Sequence, residues 1–422
     1  MMILTSAALG RARLVGLLAI LCLGACAGAQ RKAAPPEMFG TAVPVGFSAD
    51  VRYVGSDRRY FVAHKEETEA RIRMAMGDGP LNVLALSGGG AGGSFGAGAL
   101  VGLSHAGKRP QFAVVTGVST GALLAPFAFL GPSWDEALTE AFGGTSTEHL
   151  LRSRSIGILF GPGIYQGKPL QEVVARFATD AMLEAIAQEF KKGRMLLVAT
   201  TDLDKEETVI WDMGAIAAHG GPAARALFCQ VLVASASIPG LFPPVVIHVE
   251  DGGKSYDEMH VDGGTTVPFF LGSELVYVMP LEFEKLEGAN LYVIVNGQFS
   301  AVPRTTPVKT TAVLRRSFTA ALTRMSRTAL ELSAGFAQRY KMRFQFVLIP
   351  DDYPYEGPLK MRPSATQALF RFGERCGERG LLWTDIATSM ERNAPARTRV
   401  ALADVRCPAE IAAAKKARRT AE

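Results

Sequence analysis

Residues 112–130, FAVVTGVSTGALLAPFAFL, decide the fold. Phe112 to Val115 is a short apolar strand, Ala122 to Leu130 is an apolar helix, and Gly117-Val118-Ser119-Thr120-Gly121 joins them. A Gly-x-Ser-x-Gly turn between a strand and a helix strains the serine backbone and lifts Oγ clear of the sheet. It also sets the hydroxyl at a helix N-terminus, whose dipole favours developing negative charge. Ser119 is therefore the candidate nucleophile, with Gly117 and Gly121 as the residues that let the turn close.

Upstream, Leu81 to Leu86 reads as a buried parallel strand, Ser87 to Gly93 as a glycine loop and Ser94 to Ser104 as a small-residue helix. Backbone N–H groups of such a loop converge on an anion because no Cβ blocks the approach. Two nucleotide-binding patterns fall here and fail. Gly88, Gly90 and Gly93 spell GxGxxG, but no acid stands between Asp78 and Asp135 to hold a ribose. Gly102 to Lys108 spells GxxxxGK, but Arg109 replaces the Ser or Thr that binds Mg²⁺, and the segment ends a helix instead of opening one.

Downstream, helices are expected at Ser133 to Phe142 and Leu170 to Lys192, and a hairpin at Met195 to Thr200 against Thr208 to Trp211. A helix over Ala223 to Ala234 holds Cys229, expected as a buried free thiol. Strands are expected at Val245 to Val249, Leu291 to Val295 and Arg343 to Ile349. Alternation of this kind means α/β. Thr310 to Tyr340 is one long amphipathic helix or a pair, with Arg315, Arg316, Arg324, Arg327 and Arg339. It is open whether that face meets a membrane or only water.

An acyl-transfer serine needs a base, and no His follows Asp262; the late candidates are His248 and His260. His260 with Asp251 would make a Ser-His-Asp esterase, but nine residues is a cramped separation for acid and base loops, and His260 reads as a strand-end residue. Val261-Asp262-Gly263-Gly264 ends a strand-like approach in a carboxylate followed by two flexible residues. Asp251-Gly252-Gly253 is a rival, yet it lies in the polar stretch Glu250 to Glu258, which reads as a hairpin turn. Asp262 is the candidate base.

Taken in order, the loop of Gly88 to Gly93, the Gly117 to Gly121 turn and the Asp262 motif resemble the patatin-like phospholipase family. Ala199-Thr200-Thr201-Asp202-Leu203-Asp204 and Ala234 to Pro244 are similar to family segments, and the resemblance covers about residues 80 to 295. It implies a three-layer α/β sandwich, with a mostly parallel central sheet and helices on both faces. It also implies a Ser119-Asp262 dyad without His, and an oxyanion hole on Gly88, Gly89 and Gly90. The implied reaction is hydrolysis of phospholipid or other acyl-ester lipid through an acyl-enzyme, with no metal or cofactor. One departure stands out: the family commonly carries Arg or Lys where this chain has Gly92. A catalytically silent, lipid-binding version of the fold is the alternative that departure raises.

The N-terminus bears on location. Arg11 and Arg13 precede an apolar run from Leu14 to Leu23 that is too short to span a bilayer and suits a signal peptide. Leu23-Gly24-Ala25-Cys26 resembles the lipobox of bacterial lipoproteins, which implies a lipidated Cys26 and a membrane-anchored protein of the cell envelope, facing the periplasm where there is an outer membrane. An ordinary cleaved signal with a chance Cys is the other reading. The expected layout is a signal peptide at 1–25, anchor and linker at 26–45, and a segment of uncertain structure at 46–79. A catalytic domain at 80–350 and a C-terminal helical extension with a basic tail at 351–422 complete it. Of the remaining thiols, Cys376 and Cys407 share the C-terminal part and could pair.

Composition sets the outer bounds. Of 422 residues 48% are hydrophobic and 20% charged, with 44 Gly and 23 Pro, which excludes disorder and collagen. The formal charge is +5; without Arg11 and Arg13 it falls to +3, and nothing in that balance calls for nucleic acid.

Overall fold

Among the described residues, ten strands form one mixed sheet: β1 Val43–Pro44, β2 Arg52–Val54, β3 Asn82–Leu86, β4 Val114–Val118, β5 Met195–Asp202, β6 Glu207–Asp212, β7 Val245–Asp251, β8 Lys254–Asp262, β9 Asn290–Val295 and β10 Arg343–Leu348. The structure is a computed structural model that describes residues 31–144, 165–271, 287–299, 305–386, 388–389 and 401–410. The expected signal peptide and Cys26 lie outside the described residues.

Strand order is β1-β7-β8-β5-β4-β3-β9-β10, with β6 on β5 and β2 on β6. The run from β5 to β10 is parallel, as the short apolar strands foretell, while β1, β2, β6, β7 and β8 pair antiparallel. Apolar residues fill both faces. Leu84, Leu86, Val115 and Val198 pack beneath the helices Gly93–His105, Thr120–Leu130, Asp180–Lys191 and Gly221–Ser235. Val83, Ala85, Leu197 and Val293 pack on the other face against Leu330 and Ala337 of the helix Thr310–Arg339. The three-layer α/β fold is as expected.

Several local expectations need correction. Residues 31–45 are not a free linker: Val43–Pro44 extend the sheet along β7, and Ala34 and Ala42 are buried. The span 46–79 supplies β2 and the helices Arg58–Ala63 and Lys65–Met76. The expected helix from Leu170 to Lys192 is two, Lys168–Phe177 and Asp180–Lys191, because Thr179 is extended and its side chain caps the second by accepting from Met182 N–H. The polar stretch read wholly as a turn contains only a two-residue turn, Gly252-Gly253, both at positive φ. From Lys254 it is a strand, since Tyr256, Glu258 and His260 point alternately inward. The C-terminal extension also belongs to the core. Helix Pro363–Glu378 lies so close along Gly93–His105 that Gly98 and Gly102 face its backbone, and Cys376 is bonded to Cys407. Cys229 is a free thiol but only half-buried, and burial pushes its pKa up.

Candidate active site

β5 works as a splint on which the site is assembled. Along one edge its Ala199 pairs with Val118, the last residue of β4, and its next residue, Thr200, pairs with Asp262, the last residue of β8. Ser119 turns away from the sheet just where β8 arrives, so residues 143 apart in sequence meet. Ser119 Oγ donates to Asp262 Oδ2 at 2.6 Å, and both side chains are buried.

The turn around Ser119 is strained. Ser119 has φ 56° and ψ −126°, a conformation that costs on the order of 1–3 kcal/mol for a residue with a side chain. Close packing imposes it: a Cβ on Gly117 would lie 2.6 Å from Gly121 O, and one on Gly121 would collide with Leu86 O. The Ser119 N–H is held by Ser235 Oγ at 3.0 Å, which in turn donates to Ala199 O at 2.7 Å.

Asp262 is fixed by its own loop. Gly264 N–H donates to Oδ1 at 2.7 Å, Gly263 packs on the Ala199 carbonyl, and the Asp262 N–H donates to Ser237 O at 2.9 Å. Burial pushes its carboxyl up to about 7; the hydrogen bonds from Ser119 and Gly264 pull the other way without overcoming it. A carboxylate tuned near neutrality and bonded to a serine hydroxyl has the geometry to accept that proton.

The glycine loop lies against this pair, with Gly88 so near Ser119 that a Cβ would come 3.0 Å from its Cβ. The amide of Gly88 is already spent on Pro268 O at 3.3 Å, and that of Ala91 on Pro358 O at 2.8 Å. Gly88 is therefore corrected from oxyanion donor to spacer. The N–H groups of Gly89 and Gly90 have no protein acceptor among the described residues and are the donors left for an oxyanion. Gly92 cannot carry a cation in this fold, because a Cβ there would collide with Asn296 O.

Sequence reasoning missed the residues that hold the loop. Asn296 donates its N–H to Ser87 Oγ (2.9 Å) and its Nδ2 to Ser87 O (2.7 Å), and Tyr355 OH donates to Gly89 O (3.0 Å). Asn296 directly follows β9, and that position was the available signal. Ser235 and Ser237 lie inside a segment the family resemblance covers, but nothing in their spacing gives their roles.

His260 is fully buried and turned to other work. Its Nδ1 pairs with Thr200 Oγ1 (3.0 Å), its Nε2 with Glu258 Oε2 (3.2 Å), and its ring packs edge-on against Trp211. It does not serve Ser119. His260, Glu258 and Asp202 also approach one another as metal ligands would. That space is charge-balanced by protein: Lys205 Nζ lies 3.0 Å from Asp202 and 2.8 Å from Glu258, and Arg52 pairs with Glu258. Burial alone would raise Glu258, but the bonds from His260 and Arg52 and the charges of Arg52 and Lys205 hold it well below the usual carboxylate range. Asp251 sits at the far tip of the β7–β8 hairpin, bonded to Thr41.

Ser119 and Gly90 line a cavity that runs beneath the Thr120–Leu130 helix. Its walls are apolar, among them Leu123, Phe127, Leu170, Val174, Phe177 and Met182.

Comparison with known proteins finds two kinds of similarity. The profile of the family described as Patatin-like phospholipase matches residues 84–271. The solved structure of VipD from Legionella pneumophila is similar over 71% of this chain and 67% of that one, at 13% identity and a TM-score of 0.30. No curated protein matches the sequence.

Proposed function

Residues 84–271 form a patatin-like phospholipase domain, and from that premise we propose that the protein is a membrane-anchored serine hydrolase that cleaves lipid acyl esters through a Ser119-Asp262 dyad. The observation that carries the reading is the 2.6 Å bond between Ser119 Oγ and the buried Asp262 carboxylate, with Ser119 lining an apolar cavity.

In the proposed reaction an acyl chain enters the cavity, where its methylenes leave water for apolar walls. Ser119 Oγ attacks the ester carbonyl carbon while its proton passes to Asp262 Oδ2. The carbonyl oxygen becomes an oxyanion facing the free N–H groups of Gly89 and Gly90; one such donor is typically worth about 10²–10³ in rate. The tetrahedral intermediate collapses to an acyl-Ser119, and the alcohol leaves with the proton from Asp262. Water then attacks the acyl-enzyme with Asp262 again as base, releasing the fatty acid and restoring the Ser119 hydroxyl. Lipidation of Cys26 would keep the enzyme at the surface that holds its substrate.

The Gly92 departure does not favour the silent alternative, since the loop backbone occupies the place of a side chain while leaving two amides free. Purified wild type, Ser119→Ala and Asp262→Asn assayed on phospholipid vesicles and on a chromogenic acyl ester test the reading. Turnover by wild type alone is expected, and a folded wild type inert on both substrates, or a fully active Ser119→Ala, refutes it.

A further inference from the structure

The chain that follows Cys26 is docked from Arg31 onward. Arg31 donates from both terminal nitrogens to Asp204, at 2.6 and 2.7 Å. Lys32 donates its N–H to Asp257 Oδ2 at 3.0 Å and accepts from the Asp257 N–H at 2.8 Å. Asp204 stands just past the end of β5, five residues beyond Ala199, which marks the level of the Ser119 turn. The docking point is thus on the same edge of the sheet as the dyad, within about 17 Å of it along the strand. Only four residues stand between Cys26 and Arg31, and the five Cα-to-Cα steps span at most about 18 Å when fully extended. A lipid on Cys26 would hold this edge of the molecule to the bilayer, with little freedom to turn another toward it.

A second feature points the same way. The Thr310–Arg339 helix leads at its C-terminal end into β10, whose Arg343 pairs with Asn290 at the edge opposite the dyad. Its Leu322 lies 3.7 Å from where a Cβ on Gly264 would be, beside Asp262. Twelve residues precede Leu322 in the helix, about 18 Å of rise, carrying it on past the catalytic edge. None of the described side chains in those turns is buried; the first buried one is Ser326. Val313 and Leu314 are exposed there, the latter by 63%, and Val308 just before them is fully exposed. From Glu287 to Glu331 the chain has no acid in between, against the bases Arg304, Lys309, Arg315, Arg316, Arg324 and Arg327. Exposed apolar side chains in a stretch of chain that carries bases and no acid suit the interface of an anionic bilayer.

We propose that the N-terminal turns of the Thr310–Arg339 helix and the lipid on Cys26 seat one edge of the protein on an anionic bilayer, the edge that carries Ser119 and Asp262. The proposal rests on the anchored-hydrolase reading for its purpose, but its geometry is tested without catalysis. Full-length lipidated protein carrying Ser119→Ala and Cys229→Ser is reconstituted in phosphatidylethanolamine–phosphatidylglycerol vesicles that contain a spin-labelled lipid. An environment-sensitive dye is attached through Leu314→Cys or, in a separate protein, through Gln338→Cys near the far end of the helix. The dye at 314 loses its fluorescence to the quencher and the dye at 338 does not. Equal quenching at both, or none at 314, overturns the proposal, as does a protein whose mass shows no lipid on Cys26. On an active background, Val313→Glu with Leu314→Glu slows vesicle hydrolysis severalfold and leaves a soluble short-chain ester unaffected; an unchanged vesicle rate also overturns it. Wild type that hydrolyses neither substrate refutes the enzymatic reading instead, and the quenching result then decides the seating by itself.

Discussion

Asp262 has to be ionised to take the Ser119 proton, and burial makes that ionisation costly. With the carboxyl raised to about 7, kcat/KM should fall as pH drops below that value and level off above it, a profile read from initial rates on a soluble ester. The linkage sign follows. The folded state binds this proton more tightly than the unfolded chain does, so stability is lost as pH rises from the unfolded value near 4 through the folded value near 7, by at most about 4 kcal/mol. Asp262→Asn removes that cost. It should melt higher relative to wild type at pH 8 than at pH 4, while activity falls by roughly 10³–10⁴. Two neighbours separate rate from stability. Asp251→Asn, at a hairpin tip, should change little. His260→Ala should cost about 2–4 kcal/mol by leaving Thr200, Glu258 and Trp211 without their buried partner, yet the folded fraction should keep its rate within about tenfold.

The strand–turn–helix of residues 114–130 and the glycine loop after β3 were legible in sequence because each is local: a short apolar run, a breaker and a second apolar run. β8 was not, since its inward residues include Glu258 and His260, and polar side chains reveal their burial only through partners such as Arg52 and Lys205 that lie far off in the chain. Asp262 could be singled out by its strand-end setting and by resemblance, but the reason it meets Ser119 lies in β5, which brings the ends of β4 and β8 to adjacent rungs. The glycine loop carries a prediction of its own. If Gly92 were merely a lost cation, Gly92→Lys would raise activity. With Asn296 O packed where a Cβ would go, Gly92→Ala and Gly92→Lys should both displace the loop, lowering melting temperature and turnover together, as thermal melts and ester assays on the same preparations would show.

Across the whole molecule, segments expected to flank the catalytic unit are built into it. Residues 31–54 run along the β7–β8 hairpin and onto β6, and the Pro363–Glu378 helix packs on the helix that opens from the glycine loop. The Cys376–Cys407 bond, closing a separation of 31 residues, ties the C-terminal strand of chain to that packing. In the chain-entropy view it contributes roughly 3–4 kcal/mol. Cys376→Ser with Cys407→Ser should therefore lower the melting temperature without altering the pH dependence of the folded enzyme, whereas a shifted pH profile would mean that the extension reaches the dyad. The central claim is that Asp262 activates Ser119, and covalent labelling reads it most directly. Full-length wild type, Asp262→Asn and Ser119→Ala are treated with a fluorophosphonate and mapped by peptide mass. The account predicts one adduct, on Ser119 of wild type, labelling of Asp262→Asn slowed by orders of magnitude, and none on Ser119→Ala. A folded wild type that stays unlabelled, or an Asp262→Asn that is labelled at the wild-type rate, contradicts it.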